Sequence, residues 1–253
     1  MPRPRQSGIS LGSYATAIER AFAAPGLVAV AIIVNSPGGS AAQSALICRR
    51  IRQLADEKQV PVIAFAEDVA ASGGYWLALA GDEIFGEETS IFGSIGVISA
   101  SFGFTQLIER LGIERRLHTA GERKSLLDPF LPEDPADVAR LAALQQDIHR
   151  AFKDHVRQRR GGRINAADET LFTGELLTGR MALDRGLIDG IGDLRAVTRA
   201  RYGDKVKLRP FAAHRRRWPF WRRAPFAARE PYAMIADLAD WVEARLLWAR
   251  FGL

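Results

Sequence analysis

The chain has 253 residues, of which 47% are apolar and 25% charged, with a formal net charge of +6. That suits a sizeable domain with its own core. It excludes wholesale disorder, a collagen-like repeat and a disulfide-stapled miniature, since Cys48 is the single cysteine. Residues 1–200 carry 23 basic and 24 acidic side chains, residues 201–229 ten and one, and residues 230–253 two and four, giving balances of −1, +9 and −2. The basicity is therefore confined to a segment broken at Gly203, Pro210, Pro219 and Pro225, which reads as a connector.

The longest apolar run, Leu27–Val34, has eight residues, against the roughly 18 needed to cross a bilayer. Neither a transmembrane helix nor a secretory signal is expected, because no apolar stretch stands behind the basic start at Met1–Ser7. The expected location is membrane-associated or cytoplasmic, and one cysteine fits a reducing compartment.

In chain order, Leu27–Val34 predicts a strand buried on both faces, running into the turn Asn35-Ser-Pro-Gly-Gly-Ser40. A helix follows, with Ser40 as cap, Gln43 at the capping-box spacing, and Leu46, Ile47, Ile51 and Leu54 on one face. Val60–Ala66 predicts a second buried strand, and Ala71-Ser-Gly-Gly-Tyr75 a second glycine turn opening a helix. Strand, glycine turn and helix in repetition indicate a parallel α/β fold. Further strands are predicted at 83–85, 96–100 and 114–119, and helices at 105–111, 178–185 and 194–202. Asp134-Pro135 opens a helix of about six turns, ended by Gly161-Gly162.

Two glycine turns, each between a buried strand and a helix start, can aim backbone N–H groups at an oxygen that becomes negative, as an oxyanion hole does. Neither has the spacing of a nucleotide-phosphate loop. Ser72 reads either as a helix cap or as a nucleophile with the Gly73 N–H beside it. Among the histidines, His149 and His155 fall on the long helix and His214 in the connector, leaving His118 as the one to test as base. Lys124, after Gly121-Glu-Arg, is the other candidate, provided an apolar pocket and the neighbouring Arg123 hold its amine neutral.

The set Asn35-Ser-Pro-Gly-Gly, Ala70-Ala-Ser-Gly-Gly-Tyr, Gly93-Ser-Ile-Gly-Val, Gly121-Glu-Arg-Lys-Ser, Leu176-Leu-Thr-Gly-Arg-Met-Ala-Leu and Gly186-Leu-Ile-Asp-Gly-Ile-Gly resembles the signal peptide peptidase A family of serine proteases, over about residues 10–202. The resemblance implies a Clp-protease/crotonase-like α/β fold of stacked ββα units. It implies Ser72 as nucleophile, Lys124 as general base, Ser94 holding the lysine amine, and Gly73 with Gly38 or Gly39 as the oxyanion hole. It implies no metal and no organic cofactor, a peptide or unfolded polypeptide as substrate, and homo-oligomers with enclosed sites. Family members commonly carry a further strand, and many a transmembrane helix, ahead of the region matching residues 10–24. This chain has neither, so a shortened start or an open sheet edge is expected.

The domains expected are a peptidase domain at 1–202, a basic Pro/Arg/Trp-rich connector at 203–229 and an amphipathic helix at 230–253. The helical face is Ile235, Leu238, Val242 and Leu246. Such a tail suits a neighbouring subunit or peripheral contact with anionic lipid, with no nucleic acid expected. Two other functions remain open at this point: a crotonase-like acyl-thioester enzyme using Glu67 and Asp68, and a non-catalytic membrane scaffold.

Overall fold

The computed structural model describes residues 9–165 and 168–212, together with Arg245, Trp248, Ala249 and Phe251. Helix α1 (Leu11–Phe22) leads through a turn at Gly26 to strand β1 (Val30–Ser36), and the glycine turn then delivers helix α2 (Ala41–Lys58). Ser40 caps α2 by accepting from the Gln43 N–H. Gln43 does not reach back to the cap; its Oε1 accepts from the Leu11 N–H at 2.9 Å and ties α1 to α2. Strand β2 (Val62–Ala71) follows, and helix α3 (Gly73–Ala78) springs from its end. The remaining elements are β3 (Glu83–Gly86), β4 (Ile91–Gly93), α4 (Thr105–Arg110), α5 (Pro135–Arg160), β5 (Leu176–Thr178), α6 (Gly179–Asp184), β6 (Gly190–Ile191) and α7 (Leu194–Tyr202).

β2 organises the sheet. Parallel β1 covers one of its edges, from Val30 opposite Val62 to Ser36 opposite Ala70. The other edge is shared, with β3 on Ile63–Phe65 and β4 on Val69–Ala71. β6 continues parallel beyond β3, and β5 closes antiparallel on β4. Two strands therefore share one edge, the partner changing between Phe65 and Val69, and the β4-paired end of β2 leads directly into Ser72. Short α3 is buried except at Leu77: Tyr75 is fully buried and donates its hydroxyl proton to the Leu187 carbonyl at 2.7 Å, while Trp76 stacks on Phe152 of α5. Arg160, also buried, holds Asp189 through two hydrogen bonds of 2.7 and 3.0 Å, and Asp189 in turn accepts from the Ile84 N–H.

Several sequence expectations need correction. No strand forms at 96–100 or 114–119; these residues lie in an exposed arm between β4 and α5. Gly93 (φ +91°) and Ser94 (φ +49°) turn the chain away from extended geometry, so β4 ends before the predicted strand begins. β1 is not buried on both faces: Ile33 is 53% exposed. Among the described strands β1 pairs with β2 alone, and its outer edge faces a groove of about 730 Å³ shared with α1, α7 and residues 206–212. Leu46 lies outside the core face that Ile47, Ile51 and Leu54 form. Of the α5 stripe, Phe152 and Val156 are buried, whereas Val138, Leu144 and Ile148 are exposed. Most of the connector and of the C-terminal helix expected at 230–253 lies outside the described residues.

Candidate active site

Ser72 follows a fully buried stretch of β2, Val69–Ala71, and precedes the first turn of α3. Its N–H donates to the Gly93 carbonyl at 2.9 Å, and its own carbonyl accepts from Trp76 at 3.0 Å. Held at both ends, the residue adopts φ +51°, ψ −121°, a region that side-chain-bearing residues rarely enter and that costs of order 1–3 kcal/mol. The hydroxyl makes no cap hydrogen bond to α3. A cap role for Ser72 is thereby excluded; the strained turn presents the hydroxyl instead of spending it.

The Ser36–Gly39 turn lies directly against this serine. A methyl group at Gly38 would stand 2.9 Å from Ser72 Cβ, 3.2 Å from Ser72 Oγ and 3.2 Å from the Gly73 nitrogen. A methyl at Gly73 would stand 3.1 Å from the Gly39 nitrogen. Only glycine permits this approach, and Gly38 and Gly39 use φ of +125° and +152° to make it. The Gly38 N–H donates to Ser36 Oγ. Among the described residues the N–H groups of Gly39 and Gly73 have no hydrogen-bond partner, so these two are the donors left for a ligand beside the serine hydroxyl.

Ser94 is one residue from the carbonyl that holds Ser72, and its own N–H donates to Glu175 at 2.7 Å. Lys124 sits in the exposed arm, in a turn closed by its N–H on the Gly121 carbonyl. No hydrogen bond or ion pair joins its amine to Ser72, Ser94 or any other described residue. His118 is likewise exposed. The structure thus brings together Ser72, Gly38, Gly39 and Gly73, with Ser94 next to the residue that holds Ser72, and shows no bond between Lys124 and any of them.

His149 belongs near the site, although its place on the long helix argued otherwise. Its Nε2 hydrogen-bonds the Ile95 carbonyl at 3.0 Å and pins the loop that follows Ser94. The signal was its spacing: three and seven residues before Phe152 and Val156, the buried face of α5. Glu67 and Asp68 are exposed, and the Asp68 carboxylate is engaged by the Asn35 amide at 2.7 Å. Cys48, buried and pushed up to about 11 chiefly by burial, stays a thiol. Among the described residues no group of histidine, cysteine and carboxylate side chains could hold a metal ion.

The model of peptidase family S49 matches residues 54–207, a span that includes Ser72, Ser94 and Lys124. Of named relatives, the Na(+)/H(+) antiporter NhaA of Brucella abortus is 49% identical over 97% of this chain, which spans 34% of that protein. The chloroplastic serine protease SPPA of Arabidopsis thaliana is 37% identical over 71% of the chain and 26% of its own length. Protease 4 of Haemophilus influenzae is 32% identical over 68% of the chain and 28% of its own length. The chain therefore spans about a third or less of these relatives. With the mixed α/β sheet and the strained serine beside two glycine turns, the match shows a Clp-protease-like fold, and the chain belongs to peptidase family S49, the signal peptide peptidase A family of serine proteases.

Proposed function

We propose that this chain is a serine endopeptidase that hydrolyses signal peptide remnants or other unfolded or membrane-associated polypeptides with a Ser72–Lys124 dyad. The observation that carries the proposal is the strained, uncapped Ser72 hydroxyl beside the unpartnered N–H groups of Gly39 and Gly73. In the proposed reaction, neutral Lys124 takes the Ser72 proton as Oγ attacks the peptide carbonyl. The carbonyl oxygen becomes an oxyanion held by the two N–H groups. Lys124 then passes the proton to the departing amine, and water, activated by the same lysine, releases the acyl group and regenerates Ser72.

The dyad requires the Lys124 amine within hydrogen-bond reach of Ser72 Oγ, and the arm that carries the lysine is rich in exposed apolar side chains. Ile98, Phe102, Leu107, Leu111 and Ile113 are 51 to 78% exposed, an apolar concentration characteristic of an interaction surface. We read it as the contact through which copies of the chain form a homo-oligomer that orders the arm and its Lys124. The antiporter name carried by the Brucella relative motivates work close to a membrane, though no described helix here is long and apolar enough to cross one. The basic tail then serves as a peripheral lipid contact.

Labelling with a fluorophosphonate tests the core of this reading. Label lost in Ser72→Ala, with peptide hydrolysis lost in both Ser72→Ala and Lys124→Ala, supports the dyad. Undiminished labelling of Ser72→Ala rules the nucleophile out, and wild-type hydrolysis by Lys124→Ala rules the base out. Co-sedimentation with anionic vesicles that survives deletion of residues 211–253 would remove the lipid role from the tail.

A further inference from the structure

Ser44 lies in the first turns of α2, with its N–H on the Ser40 carbonyl at 3.0 Å. It is fully buried, and its Oγ is the one buried side-chain polar atom without a hydrogen-bond partner among the described residues. Leaving a buried hydroxyl unpaired is unfavourable, and such a group in a folded protein calls for a physical reason. Its position supplies one. The place where a Gly73 side chain would begin lies 2.7 Å from Ser44 Oγ, 3.1 Å from the Gly39 nitrogen and 3.3 Å from the Gly39 oxygen. The hydroxyl therefore packs against Gly73, on the side where that residue meets Gly39 of the first glycine turn.

We propose that Ser44 is a positioning residue for the oxyanion turn. When the tetrahedral intermediate draws the Gly39 and Gly73 N–H groups onto the oxyanion, the Ser44 hydroxyl donates to the Gly39 carbonyl and holds the turn in its working geometry. It is unpaired in the resting protein because that bond is made in the reacting state, where it lowers the barrier and not the ground state. The inference rests on Ser72 as nucleophile and on the glycine turns as its oxyanion hole.

The role separates activity from stability, in opposite directions. Ser44→Ala removes an unsatisfied buried oxygen, so its melting temperature equals or exceeds that of the wild type. Its kcat falls about tenfold with KM within twofold, and the rate of fluorophosphonate labelling at Ser72 falls in parallel. Ser44→Cys, of similar size but a poor donor, reproduces the loss. Wild-type kcat in either variant overturns the role, and so does a kcat loss that tracks a falling melting temperature. Ser72→Ala, measured alongside, tells the two readings apart: if it still hydrolyses peptide, the nucleophile assignment has failed and not the Ser44 assignment alone.

Discussion

Gly38 and Ser72 touch so closely that a single methyl group on the glycine would lie 2.9 Å from the serine Cβ and 3.2 Å from its hydroxyl oxygen. The first glycine turn is thus packed directly against the serine side chain. Gly38 also holds φ +125°, which an alanine adopts only under strain.

Gly38→Ala is therefore expected to act on the site more than on the fold. Either the turn or the serine must move, misplacing the oxyanion donors, and kcat/KM should drop by about a hundredfold or more. The overpacking should cost roughly 1–3 kcal/mol of stability. Peptide hydrolysis and urea denaturation measure the two effects, and unchanged hydrolysis would separate the turn from the chemistry.

The backbone of Ser72 offers a second check, independent of its hydroxyl. Ser72→Ala and Ser72→Gly both lack the nucleophile, but only glycine relaxes at φ +51°. The glycine variant should be the more stable of the two by about 1 kcal/mol in equilibrium unfolding, since relief of strain outweighs the extra chain entropy. An alanine variant of equal or greater stability would mean the turn is unstrained.

The exposed arm makes a prediction about assembly. Phe102 is 78% exposed and Leu111 63%, so replacing both with aspartate costs the isolated chain little. In an oligomer it buries charge at the contact. The double variant should run as a monomer in light scattering with unchanged circular dichroism, and hydrolysis should fall at least tenfold. A variant that keeps the wild-type mass would dissociate the arm from assembly.

How much of this was legible in the sequence depended on whether the determining contacts were local. The Ser40 cap and the helix from Asp134-Pro135 follow from patterns within a few residues, and both formed, whereas β2 runs on to Ala71, past the end predicted at Ala66. The register that places Gly93 against Ser72 links two separate turns, and no local pattern encodes it. Strands predicted at 96–100 and 114–119 had suitable residues, but strand pairing needs a free edge, and β4 ends where Gly93 and Ser94 take positive φ. Ser44 illustrates the same limit. A serine one turn into an amphipathic helix gives no local sign that its hydroxyl packs against the glycine that opens another helix.

The Arg160–Asp189 pair is the strongest polar anchor behind the site, because it ties α5 to the segment that also accepts the Tyr75 hydroxyl. Arg160→Ala leaves the Asp189 carboxylate, beside Ile84 of β3, with the half-exposed Arg163 at 3.2 Å as its remaining counter-charge, and should cost about 3 kcal/mol in urea denaturation. A loss below 1 kcal/mol would show the pair to be solvated in solution.

His155 couples stability to pH on the far side of α3. Its ring stacks on Trp76 at 5.2 Å, with Nε2 3.4 Å from Cys48 Sγ. Burial first, and then the Arg159 charge, push it down from 6.5 to about 4. Between those values the unfolded chain binds a proton that the native protein refuses. The stability contribution is complete above about pH 6.5 and is lost progressively as pH falls toward 4, which gives a positive slope of stability with pH in that window. His155→Phe keeps a stacked ring without the titration, so its melting temperature should fall less than that of the wild type between pH 7 and 4.5. Since Trp76 lies on the helix that begins beside Ser72, acid should also slow fluorophosphonate labelling more in the wild type than in the variant. Parallel melting curves across this range would mean that His155 takes up its proton without opening the packing around Trp76.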